Sequence, residues 1–355
     1  MSRLLLLNFT CVIALFLLSS CANPPSSAGK TTAALPQAQD RSIQRLETIM
    51  LGGQPQVISI RGNDDTNPVL LFLHGGPGIP EMPVAHLNRG LQRDFTVVHW
   101  DQRGAGKSYH KDIPMDSMTI DQFIQDTLEL SRYLTTRFQQ KKIYLAGFSF
   151  GSLVGIQAAA KSPELYHAYV GISQFVDIPE SEKILDTRIR RLAKEQKNKT
   201  ALQYLAKTNP PPYPDHDVET RINDIAAGLV RDKINQPIGI KQYAMIALGS
   251  DDYCLHELFG ILKGSKFSKL ALEDMLYTVD VRKHVSRVDV PVYFLAGKYD
   301  TILSPELMKR FHDNLKAPRG KTFIEFPHSD HALHMGNPAA FQAAMRQVLT
   351  ETFQR

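Results

Sequence analysis

Ile143-Tyr144-Leu145-Ala146-Gly147-Phe148-Ser149-Phe150-Gly151 begins as an apolar run and ends in a G-x-S-x-G turn, and its reading decides the fold. Four apolar residues stopped by a glycine fit a strand buried on both faces. Residues 152–161 have helical character. A strand that turns sharply into a helix at a serine presents that hydroxyl at the apex of a nucleophile elbow. Glycines flank the turn because side chains at 147 and 151 would crowd it. Chance alone would produce such a pentapeptide in roughly one chain in ten of this length. The strand–turn–helix setting therefore makes the case: Ser149 is the candidate nucleophile.

Outward from the elbow, β-rich runs at 57–61, 69–74, 96–101, 143–146, 169–172, 292–296 and 322–326 alternate with helix-like segments. That alternation predicts a mostly parallel central sheet with helices on both faces, an α/β fold. Runs such as Val69-Leu70-Leu71-Phe72-Leu73 lack polar alternation, as central strands do. Between about 175 and 286 the pattern changes to charged helical segments at 180–199 and 219–233, separated by Asn209-Pro210-Pro211-Pro212-Tyr213-Pro214. The expected organisation is a core of 46–175 and 286–355 with a helical cap over 176–285.

His74-Gly75-Gly76-Pro77-Gly78 follows another buried run. Its glycines let backbone N–H groups turn toward a reacting carbonyl, so Gly75 and Gly76 with the N–H of Phe150 form a candidate oxyanion hole. One such donor is typically worth ~3 kcal/mol of barrier.

Together with Asp101-Gln102-Arg103-Gly104-Ala105-Gly106-Lys107-Ser108, these two motifs resemble the proline iminopeptidase branch of the α/β-hydrolases. The resemblance covers roughly the core and implies an α/β-hydrolase fold with the order Ser, Asp, His. In that family the acid follows a late strand, which here points to Asp300 after Phe294-Leu295-Ala296-Gly297-Lys298-Tyr299. The family's H-x-x-H-x-x-x-P spacing fits 331–338 and makes His331 the base, with His328 as the alternative. Asp330 stands where the family often has glycine. Arg103 and Asp101 are expected to brace the loop beside the site.

Ser149 would then attack an acyl carbonyl, His331 would take its proton, and Asp300 would hold the imidazole, giving an acyl-enzyme that water hydrolyses. The resemblance implies an aminopeptidase releasing N-terminal proline or another residue from short peptides. A protonated amine must be met by carboxylates from the cap, and Asp251, Asp252 and Glu257 are the candidates, against the reading of a solvated acidic patch. The family usually carries Trp and Glu in this insertion, whereas the only tryptophan here is Trp100. A carboxylesterase or other small-acyl hydrolase is the second reading. A surface-binding lipoprotein that keeps the fold without activity is a third, of a different class.

No cofactor is called for. His328, Asp330, His331 and His334 are conceivable metal ligands, but no second ligand cluster accompanies them, so no metal is expected. Gly106-Lys107-Ser108 falls short of a phosphate loop because Asp101 stands where that loop needs glycine. The net charge of +5, from 41 basic and 36 acidic residues, is dispersed and leaves no nucleic-acid footprint.

Arg3 and the apolar run 4–18 read as an export signal over 1–20. Leu18-Ser19-Ser20-Cys21 resembles the lipobox of bacterial lipoproteins, with Cys21 the acylated residue; cleavage after Ala22 is the alternative. Residues 21–45 read as a tether. An exported lipoprotein follows, anchored to a membrane through lipid. Ala22 is not the aspartate of inner-membrane retention, so the expected place is the periplasmic face of the outer membrane in a Gram-negative source. Cys254, the remaining thiol outside the leader, is expected to be a small buried apolar residue.

Overall fold

The computed structural model describes residues 41–213 and 216–353. The leader, Cys21 and the start of the tether lie outside the described residues. One sheet of eight strands organises the fold: β1 (Ile43–Leu51), β2 (Gln54–Gly62), β3 (Val69–Leu73), β4 (Thr96–Asp101), β5 (Ile143–Phe148), β6 (Tyr166–Ile172), β7 (Val292–Gly297) and β8 (Lys321–Phe326). Their spatial order is β1-β2-β4-β3-β5-β6-β7-β8. β1 and β2 form an antiparallel hairpin about Gly52 and Gly53, both at positive φ. β2 pairs antiparallel with β4, and every later pairing is parallel.

β1 begins at Ile43, so the sheet starts inside the stretch read from sequence as tether. The central strands are buried on both faces. Val69, Leu71 and Leu73 of β3 join one core cluster, while Leu70 and Phe72 join the other on the opposite side. The helices α1 (Ile120–Arg137), α2 (Phe150–Lys161), α9 (Pro305–Asn314) and α11 (Pro338–Thr352) belong to these layers, and α10 (Leu333–Gly336) is a short turn before α11.

Between β6 and β7 the chain forms α3 (Ile178–Glu195), α4 (Lys199–Lys207), α5 (His216–Val230), α6 (Ile240–Ala247), α7 (Leu255–Leu276) and α8 (Val281–His284). This cap has a small core of its own, in which Leu185, Ile189 and Leu192 of α3 meet Ile222, Ala226 and Leu229 of α5. An isolated bridge pairs Asp177 with Asp280 at the cap's entry and exit. Cys254 departs from the sequence reading: it is exposed at the N-cap of α7, where its backbone N–H donates to Glu257, rather than buried.

The strand order explains where the site forms. Connections leave β3 toward one edge and β5 toward the other, so a crevice opens between their C-terminal ends. The two glycine motifs follow those two strands.

Candidate active site

Ser149 sits between β5 and α2 at φ 51° and ψ −116°, a conformation that side-chain-bearing residues rarely adopt. The surrounding chain holds it there. A Cβ at Gly147 would strike the carbonyl of Gly151, and one at Gly151 would strike the carbonyl of Leu73. The Ser149 N–H donates to Ile172 O at 3.0 Å, and the Ser152 hydroxyl donates to Ser149 O at 2.6 Å. The first-turn N–H of Phe150 has no acceptor within its own helix.

His331 Nε2 lies 3.0 Å from Ser149 Oγ, and its Nδ1 lies 2.8 Å from Asp300 Oδ2. Asp300 is fully buried, and its other oxygen accepts the N–H groups of Ile302 and Leu303 at 2.8 and 2.9 Å. Those bonds aim the carboxylate at the ring. Ser173 donates to the carbonyl of His331 at 2.7 Å and fixes the base from behind. Burial alone would lower the His331 pKa; the charge and hydrogen bond of Asp300, with help from Asp330, outweigh it and leave the pKa above its ordinary value. Asp330 holds the loop with Oδ1 accepting from Ala332 N at 3.3 Å and Oδ2 from Ile238 N of the cap at 3.4 Å.

On the other side of the serine, Gly75 backs onto Phe148 and Ser149, and Gly76 lines the cavity above them. Buried His74 anchors this loop. Its Nε2 accepts from Gln102 N at 3.1 Å, which leaves Nδ1–H to donate to Gly75 O at 2.8 Å. Burial lowers its pKa to about 4, so the ring is neutral. Farther along the same loop, Glu81 meets His334 Nε2 at 3.2 Å, and both are buried.

A cavity of about 300 Å³ opens over Ser149. Its walls are partly apolar, from Phe175, Ile178, Leu185 and Ile222, and partly acidic, from Glu182, Glu219 and Glu273, with Lys269 the one lining Lys or Arg among the described residues. Such a volume is at the lower end of small-molecule sites and suits a residue or two of peptide. The Tyr277 hydroxyl donates to Glu182 Oε1 at 3.1 Å, while Oε2 is buried with no partner among the described residues. Burial pushes the Glu182 pKa up to about 7, and nearby Glu219 adds to the rise.

The family model described as the alpha/beta hydrolase fold matches residues 68–338. This chain belongs to the α/β-hydrolase family. It is 35% identical over 308 residues to the probable aminopeptidase YbaC of Bacillus subtilis, a match covering 85% of this chain and 95% of that protein. It is 26% identical over 277 residues to a proline iminopeptidase of Saccharolobus solfataricus, covering 75% and 79%. Among solved structures, the proline iminopeptidase-related protein of Thermus thermophilus superposes with a TM-score of 0.61 at 20% identity, covering 87% of this chain and 98% of that one. That last likeness speaks for the fold alone.

In this hydrolase the sequence-predicted Ser149, Asp300 and His331 come together, and Gly75, Gly76 and Phe150 adjoin them. The other histidines diverge: His328 is exposed, and His334 is turned toward Glu81. Asp101 accepts from the Tyr253 hydroxyl and from Lys107 N, while Arg103 makes a fully buried ion pair with Asp126 at 2.9 Å. The expected amine carboxylates are a correction. Asp252 is bound by Ser59 and Arg61, Asp251 by Arg89, and Glu257 by Lys107, and none of the three lines the cavity. They dock the first turn of α7 and the segment before it onto the core. The carboxylates that do line it were missed because they are scattered, one per helix. A signal was present: Glu182 sits on the apolar stripe Ile178, Leu185, Ile189, where the 3.6-residue period calls for an apolar side chain.

Proposed function

We propose that this hydrolase is an aminopeptidase that releases an N-terminal residue, proline or another, from short peptides through an acyl-enzyme on Ser149. The observation that carries the reading is a cavity over the serine holding three carboxylates, one of them with a buried oxygen that has no partner among the described residues. A buried carboxylate needs a positive partner. The protonated α-amine of a peptide supplies one, and Glu182 with Glu219 is its proposed seat.

In this scheme Ser149 Oγ attacks the carbonyl of the first residue as His331 Nε2 accepts its proton. Asp300 keeps Nδ1 protonated and stabilises the imidazolium. The N–H groups of Phe150 and Gly76 receive the oxyanion. The imidazolium then protonates the departing amine, and water repeats the sequence on the acyl-enzyme. The test compares kcat/KM for aminoacyl arylamides with free and N-acetylated amines. A preference of about thirtyfold for the free amine, ~2 kcal/mol, is expected.

The apolar half of the cavity favours a second reading, a small-acyl esterase. Equal turnover of free and blocked amines, or activity on nitrophenyl esters alone, would establish it in place of the first. We propose also that Cys21 is acylated and anchors the exported protein at the periplasmic face of an outer membrane. The motif Leu18-Ser19-Ser20-Cys21 supports this. Mass spectrometry of the mature N-terminus tests it, since an unmodified chain starting at Asn23 excludes a lipid at that residue.

A further inference from the structure

Eleven large apolar residues are exposed among the described residues, and seven of them fall between Ile240 and Leu270. Scattered exposed leucines need no explanation; a concentration of this kind does. On α7 the exposed positions Leu255, Phe259, Leu262, Lys266 and Leu270 recur at intervals of three and four, which makes one stripe along the helix. The same helix already has an inward face, with Ile261, Gly264, Ser268 and Leu272 buried, and a cavity face with Ser265, Lys269 and Glu273. The outer stripe is thus a third surface that the fold leaves uncovered. On α6, Ile240 and Met245, with Leu248 just past its end, are exposed at 57% or more. Ile246 of α6 and Leu258 of α7 both pack against the core cluster on one side of the sheet.

From Ile240 to Leu270 the unengaged charge of this face has one sign, and the exposed carboxylate of Asp274 follows one turn beyond Leu270. Its carboxylates are engaged by cations of the core, Asp251 with Arg89, Asp252 with Arg61 and Glu257 with Lys107. Lys241, Lys263 and Lys266 are exposed and make no ion pair among the described residues. We propose that the outer face of α6 and α7 docks on an anionic lipid bilayer, the leucines and Phe259 entering the headgroup boundary and the lysines meeting lipid phosphates. Apolar side chains bordered by lysine are the composition that interfacial helices use. A second copy of the chain fits less well, because a two-fold contact would set each lysine row against its own image. Docking this way brings α7, one wall of the hydrolytic cavity, against the bilayer. The inference stands apart from the anchor proposed at Cys21, which would only keep a bilayer within reach.

A reporter inside the face separates docking from any attachment through the N-terminus. Phe259→Trp in the full chain adds one fluorophore to buried Trp100. Brominated vesicles of 30% phosphatidylglycerol should quench it, and α6 and α7 should gain protection from hydrogen exchange. Purely phosphatidylcholine vesicles should do far less. Each lysine near an anionic surface is worth about fivefold. Adding Lys241→Gln, Lys263→Gln and Lys266→Gln should therefore lower the docked-to-undocked ratio by roughly a hundredfold, and raised salt should act the same way. Leu255→Gln with Leu262→Gln should abolish protection while fluorophosphonate labelling of Ser149 persists, which excludes misfolding. Absence of quenching and protection with anionic vesicles overturns the proposal. So does protection that arises without lipid and tracks dimer formation in light scattering, which would assign the face to a second copy. If Cys21 proves unmodified and the quenching persists, the docking surface holds and only the anchor fails.

Discussion

Glu81 and His334 meet at 3.2 Å in the interior and tie the loop that carries Gly75 and Gly76 to the loop that carries His331. The Phe148 ring lies against both histidines, with centroids 4.4 Å from His334 and 5.0 Å from His331. Asn88 donates to the His334 carbonyl at 3.0 Å and fixes the same turn. Two histidine–carboxylate pairs thus flank the residue that precedes the nucleophile. Asp300–His331 faces Ser149, and Glu81–His334 lies on the other side of Phe148, between the glycine loop and the His331 loop.

Removing one partner of such a buried hydrogen-bonded pair leaves the other unsatisfied, typically at about 1–3 kcal/mol. Glu81→Ala and His334→Ala should each lower the unfolding free energy by about that amount. The double variant Glu81→Leu/His334→Phe should lose less than the sum. Denaturant titration of the four proteins checks this, and strict additivity would mean the two side chains do not act as a pair.

Asp300→Asn should keep the fold and lower kcat by about 10⁴, because the imidazole loses its oriented tautomer. The base works only when neutral, and the net effect of Asp300 is to raise the His331 pKa above its ordinary value. Activity should therefore fall on acidification through a midpoint above that value, and residual activity in Asp300→Asn should persist to lower pH. A kcat/KM profile with the same acid limb in both proteins would show that another group titrates.

The elbow and the glycine loop at 75–78 were legible in the sequence because sharp turns and buried strands leave local signatures: glycines where a Cβ would strike backbone, and unbroken apolar runs. Asp300 and His331 were expected from the family resemblance, and the structure brings both to Ser149. The cap was legible only as helical. Which of its carboxylates face Ser149 depends on how α3, α5 and α7 pack, and no local pattern reports that. Asp251 and Asp252 were candidates as carboxylates of the cap, yet they serve Arg89 and Arg61 of the core. Glu182 stood out less, although a carboxylate on an apolar helical stripe was the better clue. β1 was missed because its inward positions do not alternate cleanly with polar ones.

Because Asp252 is a docking residue here, Asp252→Asn should leave the preference for free over acetylated amines unchanged. It gives up charge-assisted bonds from Arg61 with one from Ser59, in a partly buried place. A loss of about 2 kcal/mol in stability is expected. Kinetics on the paired substrates beside a melting curve test both halves, and a collapse of the amine preference at unchanged KM for esters would return Asp252 to the substrate site.

Glu182→Gln should do the reverse. With its pKa raised to about 7 by burial and by Glu219, wild-type Glu182 is largely protonated in mildly acidic solution without substrate. An ammonium in the cavity favours the ionised form, so KM for free-amine substrates should rise as pH falls below about 7, while N-acetylated substrates show no such trend. The glutamine variant should lose the pH dependence and raise KM for free amines by roughly thirtyfold, the equivalent of one ion pair worth ~2 kcal/mol. Stability should move in the opposite direction. The folded-state pKa lies above the ordinary value of 4.5, so the native state holds a proton that the unfolded chain has released, and wild-type stability should decline as pH rises from 4.5 to 7. Glu182→Gln removes that titration and should flatten the decline, so that the variant melts higher than wild type at pH 8. If its stability at pH 8 falls instead, the carboxylate is compensated in the free enzyme, and the reading of Glu182 as a seat awaiting a positive charge is wrong.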